Sequence, residues 1–252
     1  MKLDLDNKVA IVTGASTGLG KAIALSLSKE GAKVAISGRH QGTVDHTAQE
    51  IESNTGTHVL AFTGDMTQVE SVQCFVDKVI DKFGTIHILV NNVGQANRGM
   101  MVSLDQTTWQ QAFEVNVMSA VHISKEVIPY MQEQRWGRII NIAALSAKEP
   151  GDELIASNVA KSGLVSFSKT LSRELAPDNI LVNCVSPGLI ESPQNDRYFT
   201  DDERREALDK IPLGRFGRSE EFADLVTFLC SERASYITGI NLLVDGGASR
   251  GL

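Results

Sequence analysis

The stretch KVAIVTGASTGLGKAIALSLSKEGAKVAISGRH, Lys8 to His40, decides the fold. Its opening, KVAIVTG, is a short apolar, β-branched run that reads as a strand, and AKVAIS near its close reads as a second. Between them, Leu19 to Glu30 sets Ile23 and Leu27 four apart, on one face of a helix. Strands that are apolar at nearly every position are covered on both faces, as in parallel sheets, and parallel neighbours need a crossover such as this helix. One strand–helix–strand unit therefore implies both the sheet type and the layering.

The alternation runs outward to the end of the chain. A helix about Thr43 to Ser53 leads to the strand THVLAF, a helix from Gln68 to Phe83 to IHILVNN, and a helical pair between Asp105 and Gln134 to GRIINIAA. A helix over Ser157 to Leu175 leads to ILVNCVS, and one from Ser219 to Cys230 to INLLVDGG. The expectation is an α/β fold: one domain over residues 1–252, a doubly wound, mostly parallel, seven-stranded sheet with helices on both faces. The polar segment at about 190–217 lacks strand signals and is expected to be a substrate lid, with DDERREALDK inside it as a solvated helix face.

Composition narrows the function. At 42% hydrophobic and 22% charged residues the chain can build a well-buried core. A net charge of −7 argues against nucleic acid or an acidic membrane surface as partner. No apolar run approaches membrane-spanning length and the N-terminus does not read as a signal peptide, so a cytoplasmic location is expected. Cys74, Cys184 and Cys230 read as core thiols in a reducing compartment. His40, His46, His58, His87 and His122 lack metal-ligand spacing; surface or helix-face positions are expected for them, and no metal. Trp109 and Trp136 read as packing at helix edges, and Tyr130 and Tyr236 as packing residues.

The glycines Gly14, Gly18 and Gly20 of TGASTGLG fall between the first strand and the first helix. Glycine there allows a tight turn and lets a pyrophosphate approach the free N–H groups at the helix N-terminus. At the end of the second strand, where an acid would bind an adenosine ribose, the chain has Gly38 and then Arg39. A guanidinium forks onto a phosphate and stacks on adenine, so NADP(H) is the expected cofactor.

With these motifs the chain resembles the short-chain dehydrogenase/reductases, of the kind that includes the 3-oxoacyl-acyl-carrier-protein reductases, over nearly its whole length. The resemblance implies a Rossmann-like fold. It implies cofactor contacts from Gly14, Ser16, Thr17, Gly18, Leu19 and Gly20 in TGASTGLG, from Asp65 and Met66 in GDMT, and from Asn92 and Gly94 in NNVG. It also implies them from Pro187, Gly188, Ile190 and Ser192 in SPGLIES, and from Lys161. A dimer or tetramer follows from it as well, as does a small-molecule or acyl substrate.

The family's chemistry, as the resemblance implies it, uses an asparagine, a serine, a tyrosine and a lysine. Asn116 in FEVNVMSA and Lys161 in LIASNVAKSGL match two of them. The other two positions depart: Ala144 stands in the serine place and Ser157 in the tyrosine place. A serine hydroxyl is far less acidic than a phenol and shorter in reach. Proton donation by a positioned group is worth on the order of 10²–10⁴ in rate, so a substitute donor is required for turnover. Ser157 itself and Ser146 are catalytic candidates beside Asn116 and Lys161. Asp152 and Glu153 are alternatives that also read as helix caps, and Tyr198 is a lid residue that closure would bring inward. Lys161 could donate through water. In the lid, Tyr198, Phe199, Arg204 and Arg205 suit an acidic or an acyl substrate equally.

Three functions fit: an NADP(H)-dependent oxidoreductase interconverting carbonyl and alcohol with a non-standard proton donor; a degenerate NADP(H)-binding regulatory or assembly protein; and a non-redox lyase or isomerase in the same pocket.

Overall fold

The computed structural model describes residues 2–191 and 200–251. Seven strands, β1 (Val9–Val12), β2 (Lys33–Gly38), β3 (Val59–Thr63), β4 (Ile88–Asn91), β5 (Gly137–Ile142), β6 (Ile180–Pro187) and β7 (Asn241–Val244), form one sheet in the order β3-β2-β1-β4-β5-β6-β7. Every pairing is parallel. Period-two alternation splits each apolar strand between two cores: from β1, Ala10 and Val12 enter one, Val9 and Ile11 the other.

Helices α1 (Gly18–Lys29), α2 (Gln41–Thr55) and α8 (Ser219–Leu229) cover the first face through Ile23, Ile51 and Phe222. Helices α3 (Val69–Phe83), α5 (Ser119–Glu133) and α6 (Ile155–Leu175) cover the second through Phe75, Ile123 and Leu171. Helix α4 (Gln106–Phe113) runs into α5 through a wide π-helical turn, Glu114–Met118. Helix α7 (Asp201–Asp209), opened by a capping box between Thr200 and Glu203, lies within the segment expected as a lid. No helix among the described residues is long and apolar enough to cross a membrane.

Strand order reverses between β2-β1 and β4-β5, which opens a crevice at the strands' carboxyl ends. Thr13, Asn92 and Ala143 leave β1, β4 and β5 there, so the topology alone gathers the sequence motifs at one place.

Several side chains differ from expectation. Cys74 is exposed, because it lies off the Val72, Phe75, Val76 and Val79 stripe by which α3 packs; Cys184 and Cys230 are buried as expected. Tyr236 is fully exposed rather than packed. Trp136 packs against the first core just past the end of α5, as expected, and it also lies between Lys8 and Arg138, whose cationic groups are 3.8 and 4.3 Å from its ring. His87 is partly buried in the sheet, where its Nδ1 accepts from Val9 N at 3.0 Å; burial and then the neighbouring Lys8 hold its pKa down at about 4.

Candidate functional site

The turn between β1 and α1 is shaped by contacts that leave no room for side chains. Gly14 and Gly18 both have positive φ, +60° and +58°. A methyl added at Gly20 would stand 2.5 Å from Asn92 Nδ2 and 2.6 Å from Gly14 O. Around Gly18, by contrast, space is open, and Thr17 and Gly18 are exposed. No side chain caps α1 and no acid lies in its first turn, so the positive end of the helix is uncompensated where Gly18 opens it. That cradle fits a pyrophosphate. Asn92 braces it: its backbone N–H donates to Thr13 Oγ1 at 3.0 Å, and its Nδ2 donates to Thr13 O and Gly14 O at 3.1 and 2.9 Å.

Beyond the cradle, a methyl on Gly38 would meet Val44 Cγ2 at 2.7 Å and the Ser16 side chain at 3.0 Å, which bars an acid from that position. Arg39 is exposed beside it and makes no ion pair among the described residues. Leu19 is partly buried, packed on the core that α1 covers. Asp65 Oδ1 accepts from Thr67 N and Oγ1, both at 2.9 Å, while the Met66 side chain is buried in the core and leaves only its backbone for a ligand. Pro187 ends β6 paired with Val244; Gly188 passes so close to Asp245 that a methyl would lie 2.7 Å from its Cα. Ile190 is buried and bridges Gly217. Ser192, Tyr198 and Phe199 lie outside the described residues.

The residues expected for chemistry converge on the loop that follows β4. Asn116 sits in the wide turn Glu114–Met118, and its carboxamide fastens Gln95 at both ends: Oδ1 accepts from Gln95 N and Nδ2 donates to Gln95 O, each at 3.0 Å. Nδ2 also reaches Ala112 O at 2.9 Å, so Asn116 is fully engaged. Lys161 Nζ donates to Ile142 O at 2.9 Å. A methyl added at Gly94 would stand 2.8 Å from Lys161 Nζ and 3.2 Å from Asn116 Oδ1, so the exposed Gly94 leaves no room for a side chain between these two groups and the surface. Burial pushes the Lys161 pKa down to about 8, against a smaller opposing effect from Cys184.

A buried polar ladder sets the helix that carries Lys161. Asn91, Asn141 and Cys184 are register neighbours on β4, β5 and β6. Asn91 Nδ2 donates to Asn141 Oδ1 at 2.7 Å, Asn141 Nδ2 to Ser168 Oγ at 2.7 Å, and Cys184 Sγ to Ser168 Oγ at 3.0 Å, which ties three strands to α6 two turns beyond the lysine.

Ser157 lies one turn before Lys161 and is buried; its Oγ accepts from Asn97 N at 2.7 Å. The hydroxyl is thus a brace for the loop after β4. Ala144 caps a short 3-10 turn, Leu145–Ala147, in which Ser146 is partly exposed and makes no hydrogen bond among the described residues. Asp152 and Glu153 are exposed, and neither caps α6, whose N-cap is Leu154 with no side-chain bond. Glu153 instead turns at φ +55° and gives its carbonyl to Gly99 N at 2.7 Å. Backbone geometry, not helix capping, is the use of that segment.

A cavity of about 500 Å³ opens beside these groups, walled by Leu145, Leu154, Leu189 and Ile211 with Arg98 and Lys210 among its charged residues. Glu203 also lines it; hydrogen bonds from Thr200, and to a lesser degree the charge of Arg98, hold its carboxyl below the usual range. The two arginines of α7 are engaged elsewhere: Arg205 pairs with Asp202 at 2.9 Å and Arg204 lies 4.7 Å from the Phe216 ring. Gln95, Asn97 and Arg98 were not expected at the site; their only signal is a polar run directly after NNVG.

Comparisons with known proteins agree with this geometry. The family model described as enoyl-(acyl carrier protein) reductase matches residues 14–249. The 3-oxoacyl-[acyl-carrier-protein] reductase FabG of Thermotoga maritima is 36% identical over 245 residues, covering 96% of this chain and 98% of the relative. FabG of Escherichia coli is 37% identical, covering 97% and 98%. Among solved structures, L-sorbose reductase from Gluconobacter frateurii complexed with NADPH and L-sorbose superposes with a TM-score of 0.96 at 35% identity over the whole of both chains. YwfH, an NADPH-dependent reductase involved in bacilysin biosynthesis, gives 0.94 at 29% identity over 97% of this chain and 99% of that one. With glycine cradle, sheet order and lysine pocket all in place, the chain belongs to the short-chain dehydrogenase/reductase family, on the branch that resembles the 3-oxoacyl-acyl-carrier-protein reductases.

Proposed function

We propose that this protein is an NADP(H)-dependent oxidoreductase that interconverts a carbonyl and an alcohol, with Lys161 as its proton donor and acceptor. The observation that carries this is the buried Lys161 ammonium, held at Ile142 O and lying against Gly94, with a pKa of about 8. A group that titrates near working pH is suited to general acid–base work.

Gly14, Ser16, Thr17, Gly18, Leu19 and Gly20 would receive the pyrophosphate, and Arg39 the 2′-phosphate that Gly38 leaves unopposed. Asp65, the Met66 backbone and Asn92 would border the adenine and the turn, and Gly94, Pro187, Gly188, Ile190 and Ser192 the nicotinamide end. When bound, the nicotinamide cofactor supplies or takes up a hydride. Lys161 Nζ gives the proton that completes the alcohol and is reprotonated from solvent; in the reverse direction its free amine takes that proton. Asn116 orders the edge of the site by fixing Gln95. Leu145, Leu154 and Leu189 exclude water around a small or acyl substrate. A dimer or tetramer and a cytoplasmic location accompany this reading, as does a single domain over 1–252 with the 190–217 segment as lid, α7 being one wall of the cavity.

The test is loss of nicotinamide absorbance when NADPH meets a panel of ketones, with the alcohol product identified. Tight NADPH binding with no oxidation by any ketone would overturn the proposal in favour of a cofactor-binding protein without turnover.

A further inference from the structure

Past β7 the chain forms a strap along one side of the cavity. Gly246 and Gly247 turn at φ +64° and +85°; a methyl on Gly246 would stand 2.9 Å from Ile211 Cγ2, and Leu213 N donates to Gly246 O at 3.2 Å. Asp245 holds the turn, its carboxylate accepting from Gly247 N and Ser249 N, both at 2.9 Å. At the other end Glu149 Oε1 accepts from Arg250 N and Gly251 N at 2.5 and 2.7 Å, and Lys148 Nζ donates to Gly251 O at 2.9 Å. Residues 246–251 are thus fixed at one end to the chain that follows α7 and at the other to the loop that follows β5. Ile211 from the first of these, and Leu145 and Gly151 from the second, line the cavity of about 500 Å³; Ala248, midway along the strap, lines it too. Main-chain N–H bonds to a carboxylate are among the stronger hydrogen bonds, so the strap is a held wall.

Resting on the reductase reading above, we infer that Ala248 is a substrate-contacting residue that sets how long an apolar ketone the site takes, and that Glu149 is the positioning residue that holds it there. Ala248 lines the same space as Leu145, Leu154, Leu189 and Ile211, so a ketone that fills the cavity buries its alkyl body against all of them. Each methylene so buried is worth roughly fourfold in binding. A larger side chain at 248 takes up that space, and a strap released from Glu149 no longer presents a fixed wall.

2-Octanone and 2-butanone, which differ by four methylenes, test this. For the unmodified protein, kcat/KM is expected to be at least about tenfold higher with 2-octanone. Ala248 is only partly buried, so Ala248→Leu is expected to fold, and to cut that ratio at least about tenfold. Glu149→Ala is expected to speed amide hydrogen exchange at Arg250 and Gly251 and to cut the ratio about threefold, through KM rather than kcat. Glu149→Gln, which keeps an acceptor oxygen, restores both. A turnover-free arm measures 2-octanone binding by calorimetry in the presence of NADP⁺, expected to be about tenfold weaker in Ala248→Leu. If neither ketone oxidises NADPH but 2-octanone binds and Ala248→Leu weakens it, the reductase reading falls and the contact stands. No binding of 2-octanone, or binding and a ratio that Ala248→Leu leaves unchanged, overturns the contact. Amides at Arg250 and Gly251 that stay protected in Glu149→Ala, or a ratio that glutamine does not restore, overturn the positioning role.

Discussion

The turn from Thr13 to Gly20 and the loop from Gly94 to Arg98 face the same crevice, yet they are held in different ways. The first is shaped by backbone: positive φ at Gly14 and Gly18, a Gly20 with no space for a methyl, and Asn92 bonded to two main-chain carbonyls. The second is shaped by side chains, the Asn116 carboxamide and the Ser157 hydroxyl, and it leaves the Asn97 oxygen enclosed without a partner. A pyrophosphate is the same in every dinucleotide, so main-chain N–H groups suffice for it. The loop beside it is held instead by the Asn116 and Ser157 side chains, which a single substitution can replace.

The largest expected effect is beside the second region, where Lys161 lies against Gly94. Lys161→Met is expected to lower ketone reduction by roughly 10²–10⁴, read as steady-state rate. The pH profile separates a proton donor from a mere support. With Lys161 titrating at about 8, reduction declines as pH rises through that value, while alcohol oxidation rises to a plateau above it; the variant loses both limbs. Stability moves the other way. Burial places the folded pKa below the ordinary 10.5, so the unfolded chain binds more protons between about 8 and 10.5 and the fold gains stability as pH rises through that window. Below it the buried charge is a cost, and Lys161→Met is expected to unfold at an equal or higher denaturant concentration.

Next in size, Arg39→Ala tests the outer end of the cradle. Losing a charge-assisted bond of about 1.5–3 kcal/mol weakens NADPH binding by roughly ten- to a hundredfold and leaves NADH unchanged, measured by calorimetry. Equal losses for both nucleotides would show that Arg39 does not read the 2′-phosphate.

A pair of glycine variants sharpens the contrast within the cradle itself. Gly20→Ala drives a methyl against Asn92 and Gly14 and is expected to cost stability, about 1–3 kcal/mol in denaturant melts. Gly18→Ala meets no protein atom, so beyond a backbone penalty of about 1–2 kcal/mol for positive φ its main effect is on nucleotide affinity.

The smallest effect is expected from Ser157→Ala, which removes the acceptor of Asn97 N. About 1 kcal/mol of stability is lost, together with faster amide hydrogen exchange at Asn97, while NADPH affinity stays constant. Should turnover vanish with stability intact, Ser157 rather than Lys161 is the acid.

Local pattern made much of this legible. The strands follow from apolar runs, and the cradle from glycines spaced between a strand and a helix, because both depend on neighbours in sequence. Lys161 and Asn116 could be placed only by resemblance, since nothing local marks a lysine as buried. The brace from Ser157 to Asn97 joins residues sixty apart, and no periodicity encodes such a pair. Asp152 and Glu153 misled for a related reason: acids ahead of a helix suggest caps, but the left-handed turn at Glu153 spends the segment on a main-chain bond to Gly99. His87 looked like a surface residue because a ring nitrogen that accepts a strand's N–H is invisible without the sheet.

The wide turn at Glu114–Met118 has a consequence for how this enzyme can change. Removing one residue there would regularise the helix and swing Asn116 by about 100°, freeing Gln95 and with it the anchorage of Asn97. The nucleotide cradle, more than ninety residues upstream and braced from Asn92, would be untouched. A one-codon deletion in this turn is thus a route by which the loop beside Lys161 could be loosened while the glycine cradle stays the same.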